Sequence, residues 1–317
     1  MKNLVVTVIL VGVLGYFGAK FYLHHEVSSN LDAALAMAQP FADIQYDGVS
    51  STMSGELSIN GINARFGNFT DRLEIDKVSI ITPGFLYLLN MGDMAGSEPE
   101  LPDSFGFTIE GMRADVSDDF MKALARANRE AGPKMDEDDT AGECVGKYGF
   151  SMETLRRLGY NDLVINLSMG YEQGNGNLLF EMWTDIEDMY GIKVEMTLAG
   201  TLTPQLIASR MYKPRLVDAR IEYEDYSLIE RTRALCKRQG LSEDDIIVAE
   251  MDAFQAAGLE GGVAFDEYVM VPYQKFLAGG SKFILTAKPN EPIGLSQIDL
   301  YKPEDVPALL NLSAEVL

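Results

Sequence analysis

Histidine is almost missing from this chain, and its scarcity narrows the chemistry that the protein can perform. The two histidines among 317 residues are neighbours, His24 and His25, near the amino terminus. The remaining chain therefore has no serine or cysteine triad built on histidine and none of the common zinc sites that use it. It also lacks a G-x-S-x-G elbow, a Walker loop and a C-x-x-C pair. We predict a non-enzymatic protein with no catalytic, cofactor-binding or metal-binding residues.

Positive charge is the second scarcity. The chain has 26 Lys and Arg against 48 Asp and Glu, which gives a formal net charge of −22. A surface of that sign repels phosphate backbones, so we expect no nucleic-acid partner. The excess of acid is interpreted as a contribution to solubility.

The longest apolar run lies at the amino terminus. Leu4–Leu23 carries one charge, Lys20, and twenty helical residues at about 1.5 Å each span a bilayer core of about 30 Å. A cleaved signal peptide is the alternative, but a cut after Ala19 would put bulky Phe17 where the peptidase needs a small residue. We predict that residues 1–23 are an uncleaved single-pass anchor. The bias of charges keeps the amino end in the cytoplasm and places the body on the other side of the membrane.

The chain after the anchor divides into a connecting helix and a body. Residues 24–43 are predicted as a juxtamembrane helix that ends near Pro40, because proline cannot continue a helix. Residues 44–317 form the body, and the polar, charged loop 132–143 is a candidate internal boundary. Helices are predicted in the body at 117–130, 203–212, 227–240, 242–258 and 265–277, with Ser242 and Asp245 spaced as a capping box.

The stretch Leu163–Leu202 predicts the fold. Its apolar residues alternate with polar ones in three runs, so each run is a strand with one buried face. The segments Gln173–Gly176 and Asp188–Gly191 separate the runs and supply the Asn and Gly that tight hairpins need. The predicted fold class is α+β: an antiparallel, curved sheet packed with helices and preceded by one transmembrane helix. No internal repeat stands out.

Four side chains in this stretch are candidates for lining an apolar site. Met169, Phe180, Met182 and Met196 are predicted on one face of the sheet, where a lipid or another apolar ligand could bind on the concave side. The alternative is an ordinary core, because methionine fills irregular gaps. An apolar groove open to solvent would favour the ligand, and a filled core would exclude it.

A carboxylate-dependent hydrolase is a further alternative, which requires two acids facing each other in a cleft.

Cysteine is also rare. Cys144 and Cys236 are the only two. An even count in a compartment outside the cytoplasm favours a disulfide between them, which would stabilise the fold by about 4 to 5 kcal/mol in the chain-entropy model. Two buried free thiols are the alternative.

The order of features resembles a class of Gram-negative envelope proteins. An anchor and a short helix are followed by the strands Ile44–Val49 (IQYDGV) and Gly55–Ile62 (GELSINGI). This pattern is similar to the YdgA-like family and, more distantly, to the AsmA-like proteins, whose amphipathic sheets hang in the periplasm from one inner-membrane helix. The resemblance implies a single-pass protein of the bacterial inner membrane with its body in the periplasm. It implies an envelope role through partner binding or structural support, with lipid or apolar-ligand binding as the alternative.

Overall fold

The computed structural model describes residues 2–40, 42–66, 72–90, 101–115, 152–200 and 213–317. Within these ranges, the side chains of residues 2–16, 66, 90, 114–115 and 152–153 are outside the description. The predicted helices 117–130 and 203–212, the loop 132–143 and Cys144 lie outside the described residues.

Within the described ranges, twelve strands form one large antiparallel sheet. The sequence predicts the antiparallel sheet. Their order across the sheet is β1-β3-β4-β5-β6-β7-β8-β9-β10-β12, while β2 pairs with β3 and β11 with β9. Most neighbours in the sheet are also neighbours in the chain, which makes the sheet an open meander. The strands are β1 (Ala42–Gln45), β2 (Gly48–Ser51), β3 (Glu56–Phe66), β4 (Leu73–Ile81), β5 (Ser104–Asp115), β6 (Asp162–Gly174), β7 (Asn177–Ile186), β8 (Tyr190–Ala199), β9 (Arg215–Asp225), β10 (Lys282–Ala287), β11 (Ile293–Gly294) and β12 (Leu312–Val316).

The three-stranded meander predicted at the centre is confirmed as β6, β7 and β8. Each pair is in continuous antiparallel register, from Ile165 opposite Ile186 to Gly174 opposite Asn177 in the first hairpin. The turn residues Asn175 and Asp188 have positive φ angles of 52° and 59°. Short polar side chains tolerate this left-handed backbone, which is why the turn composition predicted the hairpins.

The helices are α1 (Lys2–Ala38), α2 (Phe85–Asn90), α3 (Met152–Arg157), α4 (Leu228–Arg238), α5 (Glu243–Glu260), α6 (Glu267–Leu277), α7 (Leu295–Ile298) and α8 (Val306–Leu310). The three predicted helices after residue 226 are confirmed as α4, α5 and α6. The predicted capping box is present at the start of α5, where Asp245 N donates to Ser242 Oγ at 3.2 Å and Ser242 N donates to Asp245 Oδ2 at 3.3 Å.

The amino-terminal segment is one continuous helix rather than an anchor followed by a separate helix. α1 runs from Lys2 to Ala38 and ends just before Pro40, as the sequence predicts for its carboxyl end. Among the residues that the structure describes, we find no helix long and apolar enough to cross a membrane. The side chains of residues 1–16, which make up most of the predicted anchor, are outside the description, so the anchor remains a prediction.

The core lies between the helices and one face of the sheet, in four clusters. The first joins α3, α4 and the start of α5 to β6, and the second joins α7 and α8 to β7, β8, β9 and β10. The third joins α5 and α6 to β9, β10 and β12. The fourth joins α1 and α2 to β3, through Leu23, Phe85, Leu88 and Leu57. All four clusters lie on the same face of the sheet. α1 and α2 cover it at the β3 side, and the later helices cover parts of it from β6 to β12.

Candidate apolar binding surface

One face of the sheet carries an unbroken row of apolar side chains across nine strands. Each residue of the row is the direct antiparallel partner of the next, so their side chains point to the same face. We call this side of the sheet the apolar face. The row consists of Leu57, Ile80, Phe107, Met169, Met182, Val194, Ile221, Leu285 and Ala314.

The helices that the structure describes cover the two ends of this row and leave its middle. Leu57 packs against the α1 and α2 cluster at one end, and Leu285 and Ala314 pack against the α5 and α6 cluster at the other. Within the described part of the chain, none of the four clusters includes the six residues between them. We call these six the central apolar patch: Ile80, Phe107, Met169, Met182, Val194 and Ile221.

Solvent reaches the central apolar patch. Met169 is 41% exposed and Ile221 is 40% exposed, while the other four residues are half-buried. Five strand spacings of about 4.8 Å give the patch a length of about 24 Å. Soluble proteins seldom leave contiguous apolar surface open to water, and such a patch is a candidate interaction site.

The four residues predicted to line an apolar site come together at this patch. Met169 is the direct partner of Met182, and Phe180 is the direct partner of Met196, so the four form one contiguous group on β6, β7 and β8. Met196 packs against the second core cluster, Phe180 and Met182 are half-buried, and Met169 is exposed. The group thus connects the core at one side to solvent at the other. Methionine is common at adaptable binding surfaces because its thioether is flexible and polarisable.

The sequence did not indicate the other members of the patch. Ile80, Phe107 and Ile221 lie on strands outside Leu163–Leu202, and a pattern within one strand does not reveal which strands pair. The register places Phe107 between Ile80 and Met169, and Ile221 beside Val194. Long-range pairing therefore builds this surface.

The opposite face of the sheet is polar and carries several ion pairs. Lys193 Nζ lies 2.7 Å from Glu195 Oε1, and Arg220 Nε lies 2.8 Å from Glu222 Oε1. Lys282 Nζ lies 3.0 Å from Glu224 Oε2. This composition fits a sheet with one face in water and the other packed.

Five described carboxylates have shifted pKa values: Glu56, Asp76, Glu222, Asp225 and Glu243. The pKa is lowered in four of them, in each case mainly by a hydrogen bond from a Lys or Arg side chain, and it is raised only in Asp225. The hydrogen bond from Lys77, at 2.7 Å, is the main cause that lowers the pKa of Glu56, and Ser79 and Ser58 also donate to it. Burial raises the pKa of Asp225, whose carboxylate accepts a hydrogen bond from the backbone N–H of Ile229 at 3.1 Å. Asp225 therefore satisfies the amino-terminal end of α4.

Neither arrangement is the pair of facing acids that a carboxylate-dependent hydrolase needs. Glu181 and Glu195 are direct partners on the polar face, but Glu195 forms an ion pair with Lys193. Among the described residues, no group of three His, Cys, Asp or Glu side chains is placed to hold a metal ion. The geometry gives the hydrolase alternative no support.

The predicted disulfide cannot be located, because Cys144 is outside the described residues. Cys236 is fully buried in the first core cluster, beside α4 residue Leu235. The bond between the two cysteines remains a prediction.

The fold and surface define an α+β protein with a large open antiparallel sheet and a partly uncovered apolar face. A family model described only as an uncharacterized protein matches residues 183–316, which is less than half of the chain. This match begins within β7 and includes α4 to α8. A search of curated proteins finds no significant match. Nothing in these comparisons links the chain to the YdgA-like or AsmA-like proteins, so that resemblance stays a prediction.

Proposed function

We propose that this chain is a non-enzymatic, membrane-anchored protein of the bacterial cell envelope that binds a lipid acyl chain on its central apolar patch. The observation that carries the proposal is that Met169, in the middle of the continuous apolar row, is exposed to solvent. The patch is about 24 Å long, whereas one leaflet of a bilayer core is about 15 Å deep. The surface is thus large enough for the apolar part of a lipid.

The proposal includes the anchor and the periplasmic position of the body. The apolar run Leu4–Leu23 supports an anchor. Lys20 and Leu23, at its carboxyl end, contact β2 and α2, and these contacts support a body held close to the anchor. Leu23 is buried against Phe85 and Leu88 of α2. A ligand taken from the inner membrane would therefore have a short path to the sheet.

A curved sheet is also part of the proposal. The register between β5 and β6 shifts between Ile109 and Met112, and the register between β8 and β9 shifts between Thr197 and Leu198. Bulges of this kind bend and twist the strands that contain them. Curvature toward the apolar face would partly enclose a ligand there.

The test is native mass spectrometry of full-length protein extracted gently from membranes, followed by organic extraction of any bound lipid. We expect a lipid adduct on the wild-type chain. We expect Met169→Gln and Met182→Gln to reduce the adduct several-fold, because an amide on the patch would lose hydrogen bonds to water when a ligand covers it. Met37→Gln is the matched control, since Met37 is exposed at the far end of α1 and away from the patch.

Two results would overturn the lipid-binding proposal. One is wild-type protein that carries no lipid and does not take up a fluorescent fatty acid added to it. The other is equal lipid occupancy in the wild type, Met169→Gln and Met182→Gln.

A protein partner is the second candidate, and a separate surface favours it. Val248 and Leu259 are exposed on the same side of α5, because eleven residues correspond to nearly whole helical turns, and Tyr268 and Val271 are exposed on α6. These side chains point away from the core and are available to a partner. A protein adduct that is lost in Val248→Glu but kept in Met169→Gln would support this role, which can exist beside lipid binding.

A further inference from the structure

The direction of α1 relative to the sheet follows from three contacts. Lys20 Nζ donates a hydrogen bond to the Ser51 carbonyl at 2.8 Å, and His24 Nε2 lies 2.8 Å from Ser51 Oγ. Tyr46 OH donates to Asp32 Oδ1 at 2.8 Å. Lower-numbered α1 residues thus contact higher-numbered residues of the β1–β2 segment, so α1 runs antiparallel to it. The part of α1 before Lys20 extends beyond the end of β2, on the side of the sheet where the ends of the strands lie.

We call this side of the sheet, where the strands end or begin, the α1 end of the sheet. It is formed by the ends of β2, β4, β6, β8 and β10 and by the beginnings of β3, β5, β7, β9 and β12. The opposite end contains the turn from α1 to β1 and the end of β9.

Large apolar side chains are exposed at the α1 end of the sheet. Met53, in the turn from β2 to β3, is 69% exposed, and Leu86, on the helix that follows β4, is 74% exposed. Leu300 is 82% exposed and Tyr301 is also exposed, just after α7. β11 and α7 are held at this end because Ile293 pairs with Leu216 at the start of β9. β3 and β9 are six strand spacings apart, or about 29 Å, so these side chains are spread along the edge.

The segment of α1 that leaves this edge is apolar. Residues 4–19 contain no charge and, at about 1.5 Å each, extend about 24 Å beyond Lys20. Phe17, Phe21 and Tyr22 are exposed where the helix meets the edge. Aromatic side chains concentrate at the interface between a bilayer and water, and the ammonium group of a lysine is also stable there.

We propose that the α1 end of the sheet docks on the membrane surface, with Met53, Leu86, Leu300 and Tyr301 among the lipid headgroups. The occupant of this surface is the bilayer that holds α1, because the same edge bears both the apolar helix and the exposed side chains. Lys302 follows Tyr301 and is exposed, but so are Asp299, Glu304 and Asp305, so the apolar side chains rather than charge would hold this cluster at the bilayer. In this orientation the ends of the strands face the bilayer and the strands extend away from its surface.

This orientation connects the docking surface to the central apolar patch. Met169 is five residues from the end of β6 at Gly174, which places it roughly 17 Å from the docked edge. A lipid would need to move about the depth of one leaflet to reach it. The inference rests on the anchor in the proposed function and not on lipid binding by the patch.

Depth-dependent quenching of a single tryptophan tests the orientation. Trp183 is the only tryptophan, so Trp183→Phe gives a silent background in the full-length chain. Leu86→Trp and Leu300→Trp report on the two sides of the α1 end, and Met37→Trp is the matched control, being 76% exposed at the opposite end of α1. Each variant is reconstituted in phosphatidylethanolamine and phosphatidylglycerol vesicles, with and without phospholipid brominated near the top of the acyl chains.

We expect brominated lipid to reduce the emission of Leu86→Trp and Leu300→Trp and to leave that of Met37→Trp unchanged. Quenching at Leu86→Trp alone would overturn the proposal, because α2 packs on α1 and would approach the bilayer with it. Equal quenching of Met37→Trp would also overturn it. Flotation of the vesicles distinguishes a missing anchor from a missing docking contact. Protein that does not float with the vesicles contradicts the anchor. Protein that floats but is not quenched contradicts only the docking of the α1 end of the sheet.

Discussion

The carboxylate of Asp76 occupies the space that a Cβ atom on Gly111 would need. Gly111 has a φ of +63° and lies where the register between β5 and β6 shifts, and its N–H donates to Asn166 Oδ1 at 2.8 Å. Asp47 has the same relationship to Gly61, whose φ is +62°. A side chain at either glycine would meet both a strained backbone and an occupied site.

Gly111→Ala is therefore expected to destabilise the protein. A residue other than glycine in the left-handed region costs about 1 to 3 kcal/mol, and displacement of Asp76 adds to that cost. We expect a loss of at least about 1 kcal/mol in the free energy of unfolding, measured by urea denaturation of the full-length protein in mild detergent. Gly48→Ala is the control, because no atom lies within 4 Å of its Cβ position and its φ is not in the left-handed region. A loss equal to that of the control would show that the backbone adapts at Gly111.

These two glycines lie in short segments of similar sequence. Residues 58–64 read SINGINA and residues 108–114 read TIEGMRA, with the glycine at the same place. Asp47, directly before β2, and Asp76, within β4, supply the aspartate in each case, and each is followed by x-Val-Ser. The strand pairs β2–β3 and β4–β5 thus share one arrangement, in which an aspartate fills the space beside a left-handed glycine. Only the glycine, the aspartate and the alternation are physically constrained, so the likeness is confined to these short segments.

Local features of the fold were predictable, because they depend on residues near one another in the chain. The alternation of β6 to β8 and the turn at Asn175 predicted the meander, and Ser242 with Asp245 predicted the start of α5. The continuity of α1 was not predicted. The residues around Ser28 suggest a helix start, but in α1 they lie within the helix, which has already packed on α2 through Leu23 and Val27.

The candidate surface was only partly predictable. Met169, Phe180, Met182 and Met196 were identifiable from one meander, since their strands are adjacent in sequence. Ile80 and Ile221 join the patch through pairings that bring distant segments together. Which part of the apolar face the helices leave open depends on tertiary packing, and no periodicity in a single strand contains that information.

The capping box of α5 provides a second stability prediction. Ser242→Ala removes the oxygen that accepts the hydrogen bond from Asp245 N and leaves that donor without its partner. Loss of an amino-terminal cap costs about 1 kcal/mol, so we expect a lower thermal midpoint of the full-length protein. Ser296→Ala removes another exposed serine, within α7, and serves as the control. Equal midpoints for the two variants would contradict a stabilising role for the cap.

The Glu56 carboxylate is expected to make the stability of the protein depend on pH in the acidic range. The hydrogen bond from Lys77 lowers the pKa of Glu56 in the folded protein. Its contribution to stability is therefore complete above the unfolded pKa of about 4.3 and is lost as the pH falls through the folded value. We expect the wild type to be more stable than Glu56→Gln near neutral pH, and the difference to shrink below about pH 4. Urea denaturation over this range measures it.

The control for this pH series is Glu181→Gln, which removes an exposed carboxylate from the polar face of the same sheet. This variant removes one negative charge, as Glu56→Gln does, and so controls for the loss of one carboxylate from the sheet. A Glu56→Gln difference that stays constant from neutral pH to pH 3 would contradict the role of the Lys77 contact.

Thiol accessibility under denaturing conditions tests the predicted bond between Cys144 and Cys236. Native labelling does not distinguish a thiol from a disulfide at Cys236, because this side chain is fully buried. We expect the full-length protein, isolated from membranes and unfolded in guanidinium without reductant, to take up no iodoacetamide, and to gain one adduct per cysteine after reduction. In Cys144→Ser the remaining thiol should react without reductant, which verifies that unfolding exposes it. Alkylation of both cysteines in the unreduced wild type would show free thiols, and the stabilisation of about 4 to 5 kcal/mol expected from the closed loop would then be absent.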